Sequence, residues 1–531
     1  AMDAQLQASP AGVAACRIPR RLAGAVRSAG ATLMPRPDKT QQRIDDERER
    51  DADLHPTAWA NPEPLDRYPL VVVGAGFAGL AAAWTAAKRG VRVALVERGL
   101  LGGTCINTGC VPSKAIIRTS RLYAEMRDAA RYGGQVPSGI QVDFAATMER
   151  MRRIRAHLGR GDSVRKLAAA GVDVFFGDAH FTGPQALDVD GTTLRFDRAV
   201  IASGARPGSP SIPGLAEAGY FTSESIFEIT ELPRRLLVIG GGPIGCEQAQ
   251  AFCRLGARTT IVQNKPLFLD REERDAAQIL SSALARDGVE VRLNTRVLGV
   301  RDGPGGRQVD LVSDDYRSTI EVDAILAGVG RMPNVEGLGL EAAGVDYETG
   351  NGVVVDDFLR TSNRRILAAG DVCLEHQYGH TAAVSGQMAA RNALFHARER
   401  WSRLVIPWVT FTDPEIAHVG MYVREANRRD IPVKTYTVLM HQVDRAITDS
   451  EEAGFVKIHV RDGTDRILGA TIVARHAGDM INEITLAMVA NIGLRRMAGV
   501  IHAYDTQAEA IQKAAKACAR EHAPRAAGKA M

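Results

Sequence analysis

Three observations predict an α/β protein with two Rossmann-like dinucleotide-binding domains and a C-terminal α+β domain. An apolar run ends in a glycine turn at Val71-Val72-Val73-Gly74-Ala75-Gly76-Phe77-Ala78-Gly79, and a helical stretch follows. The same order returns at Leu237-Val238-Ile239-Gly240-Gly241-Gly242-Pro243-Ile244-Gly245. Strand, glycine turn and helix make the unit that seats a pyrophosphate at a helix N-terminus. Beyond about Arg403 the pattern changes to alternating β segments, such as Val405 to Phe411 and Gly454 to Val460.

Size and composition agree with this class. A chain of 531 residues holds several domains. With 45% hydrophobic and 24% charged residues it reads as globular, and 52 glycines suit a turn-rich α/β protein. The net charge of +4 makes no case for nucleic-acid or membrane partners. No apolar run reaches the 18 residues of a membrane span. The seven cysteines are scattered except for one pair, which suggests a reducing, cytoplasmic location.

Taken in order, residues 1–66 differ from the rest. Ala1 to Pro37 is rich in Ala and Arg, Gln41 to Asp53 is charge-dense, and Pro56 to Pro64 is proline-rich. This reads as a disordered extension. A transit peptide, or a natural start at Met34, is the alternative. After the first glycine turn comes a helical stretch, Leu80 to Lys88, then an apolar strand ending in Glu97. An acid about 20 residues past the turn is placed for ribose hydroxyls. Phe144 to Ala170 is helical, and Val172 to Phe176 and Arg198 to Ile201 are strands.

Between the two glycine units lies Gly102-Gly103-Thr104-Cys105-Ile106-Asn107-Thr108-Gly109-Cys110-Val111-Pro112-Ser113-Lys114. Two cysteines five positions apart can close a small, strained, easily reduced ring. From spacing alone, half a metal site or two buried thiols stay open, although a structural zinc site wants a second close pair. Beside two dinucleotide units, the pair reads as part of an electron path.

The GGTCxNxGCxPSK stretch and both glycine turns resemble the pyridine nucleotide–disulfide oxidoreductases, from Tyr68 to Ala517. The family includes lipoamide dehydrogenase, glutathione reductase and mercuric reductase. The resemblance implies an FAD domain at 67–215 and 331–402, an NAD(P) domain at 216–330, a dimerisation domain at 403–520 and a tail at 521–531. FAD would be held by Gly74, Gly76, Gly79 and Glu97, with Thr104, Ala179, Gly204, Gly330, Asp371 and the Gly379-His380 backbone completing its pocket. Cys110 would be the flavin-proximal thiol and Cys105 the exchange thiol. Lys114 would pair with Glu247 near the flavin. Gly240, Gly242 and Gly245 would hold the nicotinamide coenzyme, and Val297 is a further cofactor contact. The family acts as a homodimer, so Tyr504 and Glu509 would work in the partner's site.

Departures from the family pattern refine this. The second strand of the coenzyme unit ends in Gln263 and Lys265 rather than an acid, with Arg271 further on, which favours NADPH over NADH. In His502-Ala503-Tyr504-Asp505-Thr506-Gln507-Ala508-Glu509, Tyr504 stands where disulfide reductases place a catalytic His. Mercuric reductases share that Tyr, yet they end in a vicinal Cys pair, and this tail offers only Cys518. Cys246 and Cys253 read as buried packing and Cys373, after the Gly-Asp turn, as structural, and no resident metal is expected. The expected activity is NAD(P)H oxidation through FAD and Cys105–Cys110 to a small-molecule or metal-ion acceptor, mercuric reductase-like. A lipoamide or other disulfide reductase is the alternative. A redox-sensing flavoprotein without catalysis is the alternative of another class.

Overall fold

The computed structural model describes residues 39–137, 139–314 and 316–522. The first apolar run becomes strand Tyr68–Val73, parallel to Val93–Glu97 on one side and to Thr192–Ile201 on the other. Val172–Phe176 forms one edge, and Ala186–Val189 and Ala179–Gly183 extend the other. Ile366–Ala368 returns from far along the chain to pair with Thr192–Ile201. Leu70, Val71 and Val72 are fully buried. A parallel strand covered on both faces needs such a continuous apolar run.

The second apolar run, Arg235–Ile239, centres a five-stranded parallel sheet. Its neighbours are Arg258–Val262 and Ala324–Ala327. An antiparallel meander follows, Thr295–Gly303, Gly306–Ser313 and Tyr316–Val322. The two glycine turns solve one packing problem twice. A β-carbon on Gly79 would collide with the Gly74 carbonyl, and one on Gly245 with the Gly240 carbonyl. Each helix therefore crosses its strand at backbone contact, with its N-terminus aimed past the strand end.

The C-terminal sheet is antiparallel, in the order Pro407–Thr410, Glu415–Gly420, Ile467–Ala474, Phe455–Arg461, Val433–Leu439. The helix Glu509–Glu521 packs on it through Ala510, Ile511, Ala514, Ala515 and Cys518, all fully buried. Leu486, Val489 and Ile501 stay exposed, at 66%, 60% and 94%.

The expected disorder through residue 66 does not hold for its second half. Residues 1–38 and 523–531 lie outside the described residues, but Lys39–Leu54 is a helix packed on Phe144–Gly159. Leu54 is fully buried. The His55 ring stacks on Phe176 at 3.9 Å, and Trp59 Nε1 donates to the Val174 carbonyl at 3.1 Å. Asn61 exchanges two hydrogen bonds with the Phe176 backbone, both 2.8 Å. Val172–Phe176 is an edge strand with backbone groups to satisfy, and this strap satisfies them. Among the described residues no helix is long and apolar enough to cross a membrane.

Candidate active site

Cys105 sits in the short helix Gly103–Asn107, and Cys110 opens the long helix Cys110–Asp128. The Cys105 thiol donates to Cys110 Sγ at 2.6 Å. That bond, helped by the Lys114 charge, lowers the Cys110 pKa to about 7 against the opposing effect of burial. The same bond, then burial, pushes Cys105 up. The pair is thus polarised, with the negative charge favoured on Cys110 and the proton on Cys105. A helix N-terminus also favours the anion at Cys110. Gly379 opens the helix Gly379–Leu394, and a β-carbon there would stand 2.8 Å from Cys105 Sγ. Glycine is what lets that helix end approach the sulfur.

One helical turn past Cys110, Lys114 Nζ meets Glu247 Oε2 at 2.9 Å. Glu247 lies on the helix after the second glycine turn, so the pair ties the two sheets together. Its other oxygen accepts the Phe411 backbone N–H at 2.9 Å, and Lys114 Nζ lies 4.4 Å from the Phe411 ring centre. The carboxylate is 6% exposed and the lysine 36%. Phe411 carries no motif, and sequence reading missed it.

The first glycine turn is tied to Glu97, whose carboxylate accepts the Ala75 N–H at 2.7 Å and the Gly99 N–H at 2.8 Å. Each oxygen keeps a second lone pair for a ribose hydroxyl. Gly177 donates to the Glu97 carbonyl at 3.0 Å, which brings Ala179, at the head of its strand, to the same end of the sheet. A β-carbon on Gly103 would stand 2.7 Å from Gly76 Cα, so two bare backbone stretches face each other. Gly204 and Gly330 both have positive φ, +69° and +102°. Their carbonyls accept from Asn334 and Gly208, each at 2.9 Å, at the crossing between the domains. His380 turns its ring to the Pro407 carbonyl, 2.8 Å away.

Arg331 connects several of these parts and was not singled out from sequence. Its guanidinium reaches Thr104 Oγ1 at 3.5 Å and the Ala205 carbonyl, and its Nε lies 3.6 Å from Asp371 Oδ2. Burial pushes the Asp371 carboxyl up, and Arg331 opposes this. Arg331 Nε is buried with no hydrogen-bond partner among the described residues. Polar groups left short of partners beside open backbone turns fit a polar, phosphate-bearing dinucleotide such as FAD.

In the coenzyme unit, Gln263 Oε1 accepts the Gly241 N–H at 3.3 Å. Lys265, the cation expected for a 2′-phosphate, already pairs with Asp270 at 2.6 Å, with the two side chains 59% and 37% exposed. Gly242 caps its helix, and Val297 packs on the core formed by Leu237, Ile239 and Val262.

Within one chain, Tyr504 is not brought to the cysteines. It is 81% exposed, its hydroxyl donates to Asp444 at 3.4 Å, and Asp444 and Asp505 raise its pKa. Glu509 pairs with Lys513 at 3.2 Å, and its Oε2 is buried without a partner among the described residues. His502 lies 3.0 Å from Glu483. Cys518 is fully buried in the dimerisation core, so the tail's cysteine is withheld from solvent. Cys246 and Cys253 are likewise buried.

Two glycine-turn sheets flanking a polarised dithiol define a two-dinucleotide redox protein. The chain belongs to the pyridine nucleotide-disulphide oxidoreductase family, whose model matches residues 68–397, while that of its dimerisation domain matches residues 406–515. The family is FAD-dependent, with NAD(P)H as electron donor. The mercuric reductase of Streptomyces lividans is 36% identical over 455 residues, 85% of this chain and 96% of the relative. A dihydrolipoyl dehydrogenase of Chlamydia muridarum is 31% identical over 459 residues, 84% and 95% of the two chains. Among solved structures, the HOCl-induced flavoprotein disulfide reductase RclA of Escherichia coli superposes with a TM-score of 0.75 at 28% identity, covering 85% of this chain and 99% of its own. Its Cu(II) complex matches with the same TM-score, covering 84% and 98%.

Proposed function

We propose that this chain oxidises NADPH and passes the electrons through FAD and Cys105–Cys110 to a thiophilic metal ion, mercuric ion first, as a cytoplasmic homodimer. The polarised dithiol carries the reading: one sulfur ionises near pH 7, and the other is pushed up and keeps its proton. FAD, when bound, would supply the two-electron chemistry that links the coenzyme to the disulfide. Gly76 would leave the turn open to its pyrophosphate, Gly74 and Gly79 let turn, strand and helix meet at backbone contact, and Arg331, Thr104 and Asp371 would supply polar contacts. The Cys105 thiol and then the Lys114 charge favour Cys110 as thiolate, while Glu247 works against it. Cys105 meets the acceptor, and Cys110, the more exposed sulfur of the two, is the one that bound flavin would cover. Two sulfurs in contact suit a soft cation. The net reaction consumes NADPH and a divalent ion, and it yields NADP⁺, the reduced metal and one proton.

Tyr504 bears on the choice of acceptor. Reducing a disulfide substrate requires a proton for the leaving thiolate, and general acid catalysis contributes about 10²–10⁴-fold. A phenol with a pKa above the ordinary 10 is a poor shuttle at neutrality. A metal ion needs no such proton. The similarity to mercuric reductases, and RclA's Cu(II) complex, support a metal acceptor. In the dimer, Tyr504 and Glu509 would reach the partner's cysteines, and Glu509 has a buried oxygen still to be satisfied.

The second reading is a lipoamide or other disulfide reductase, favoured by the His502–Glu483 contact, which is a carboxylate-oriented imidazole. One preparation assayed with mercuric ion, Cu(II), lipoamide and glutathione disulfide separates them. We expect metal-ion turnover with NADPH that is lost in Cys105→Ser, and slow turnover of both disulfides. Brisk lipoamide turnover would overturn the proposal in favour of the second reading.

A further inference from the structure

The helix Phe144–Gly159 carries Arg155, one of the largest fully buried side chains of the protein. Its Nη1 donates to the Asn107 carbonyl at 3.0 Å and to Glu228 Oε1 at 2.6 Å. Asn107 lies between the two cysteines. It ends the Cys105 helix, so its carbonyl is one of those that a helix C-terminus leaves unpaired. The Asn107 side chain, 6% exposed as a residue, donates to the Leu101 and Gly103 carbonyls at 2.9 and 3.0 Å. The turn between the sulfurs is therefore held from inside by Asn107 and from outside by Arg155.

A buried guanidinium is an expensive way to fill space. Removing it from water costs several kcal/mol, and an apolar side chain of similar volume is often neutral or better. Pairing with Glu228 recovers part of this, yet Arg155 Nη2 remains buried without a partner among the described residues. Packing alone does not explain such a residue. Its one contact with the redox loop is the carbonyl between the cysteines, and the surrounding structure keeps the arginine in place. Leu54 of the N-terminal strap would touch a β-carbon on Gly159 at 3.0 Å, and the Leu101 N–H donates to the Leu54 carbonyl at 3.3 Å.

We propose that Arg155 is a positioning residue for the redox pair: by gripping the Asn107 carbonyl it keeps Cys110 at its helix N-terminus and Cys105 within reach of it. This rests on Cys105–Cys110 being the redox-active pair. Without the grip the loop loosens, and Cys105 drifts from Cys110, which loses the thiol donor that favours its anion. The thiolate becomes rarer at a given pH, and the ring closes less readily.

The test compares holoenzymes carrying Arg155→Met and Arg155→Lys with the wild type. Two readouts are followed: the pH at which the reduced protein develops its thiolate absorption, and the dithiol–disulfide equilibrium against a dithiothreitol buffer. Arg155→Met should move the midpoint to higher pH, with roughly tenfold less thiolate at pH 7, and should favour the dithiol by about tenfold. Arg155→Lys keeps the charge and one donor but loses the planar fork, and it should show the same shifts reduced to a few-fold. If Arg155→Met does not fold, Arg155→Lys carries the test. Wild-type midpoint and equilibrium in the folded variants would overturn the proposal. A wild type that yields no dithiol on two-electron reduction would instead sink the redox-pair reading itself.

Discussion

At the scale of single residues, the chemistry turns on how Cys110 and Lys114 are surrounded. Thiolate at Cys110 should rise with pH through about 7, followed by its alkylation rate in the reduced protein. Cys105→Ser leaves a hydroxyl donor in place of the thiol, so Cys110 should stay reactive without added reductant. An alkylation midpoint above 8 in the wild type would refute the assignment. Glu247 supports a second prediction. Lys114→Met strands a carboxylate that is 6% exposed, with only the Phe411 N–H left to it. Breaking a buried pair from one side costs roughly 3–5 kcal/mol. Glu247→Gln still accepts from Phe411 and leaves the charge on the more exposed partner, so it should cost less than half as much. Denaturant midpoints of the two variants give the order directly.

At the scale of elements, the strap over the edge strand and the loop after the second coenzyme strand both allow measurement. Leu54→Ala empties a fully buried site and should cost about 2–5 kcal/mol. Asn61→Ala removes two hydrogen bonds at an exposed position, where water replaces them, and should cost about 1 kcal/mol. A larger loss in Asn61→Ala than in Leu54→Ala would mean that the strap is held by its polar clasp and not by its apolar anchor. In the coenzyme loop, Asp270 occupies the ammonium that a 2′-phosphate would need. Asp270→Asn should raise the preference for NADPH over NADH, and Lys265→Ala should lower it. A charge-assisted contact of about 1.5–3 kcal/mol corresponds to roughly tenfold to a hundredfold. Steady-state comparison of the two coenzymes decides, and an unchanged ratio in both variants would exclude this loop as the selector.

Across the whole molecule, the coenzyme domain is clamped to the dimerisation domain. Glu273 accepts from His459 at 2.9 Å and from Lys457, while Tyr422 donates to Glu272 at 2.7 Å. Burial alone would raise the Glu273 carboxyl, but the His459 and Lys457 bonds outweigh it and hold the pKa at about 2. A depressed carboxyl stabilises the fold above its ordinary value near 4.5, and the contribution is lost as pH falls from there through about 2. Acid unfolding should therefore steepen across that window, and Glu273→Gln should flatten it while lowering stability at pH 7. Leu486, Val489 and Ile501 are exposed apolar side chains of the part of the chain that matches the dimerisation-domain model. Ile501→Asp should shift the protein toward monomer in sedimentation.

The sequence by itself determined whatever depends on neighbours along the chain. Glycine turns such as Gly74 to Gly79, strands that end in Glu97 or Gln263, and cysteines one loop apart are local, because backbone angles and side-chain periodicity are set within a few residues. Lys114–Glu247 spans 133 positions and was reached only because the motifs resemble a known family. The residues that sequence did not reveal are those whose partners are distant and carry no pattern. Phe411 lends Glu247 a backbone N–H, Arg331 gathers Thr104 and Asp371, and Arg155 meets a carbonyl 48 positions away. The charge-dense run from Gln41 to Asp53 misled for a related reason. Composition counts its charges but not the neighbours that neutralise them, such as Arg152 beside Glu47 at 3.9 Å. Nor does it show that one leucine and one tryptophan suffice once an edge strand offers them a groove. Tertiary packing alone decides which buried polar group faces which, because that depends on how whole helices and sheets stack.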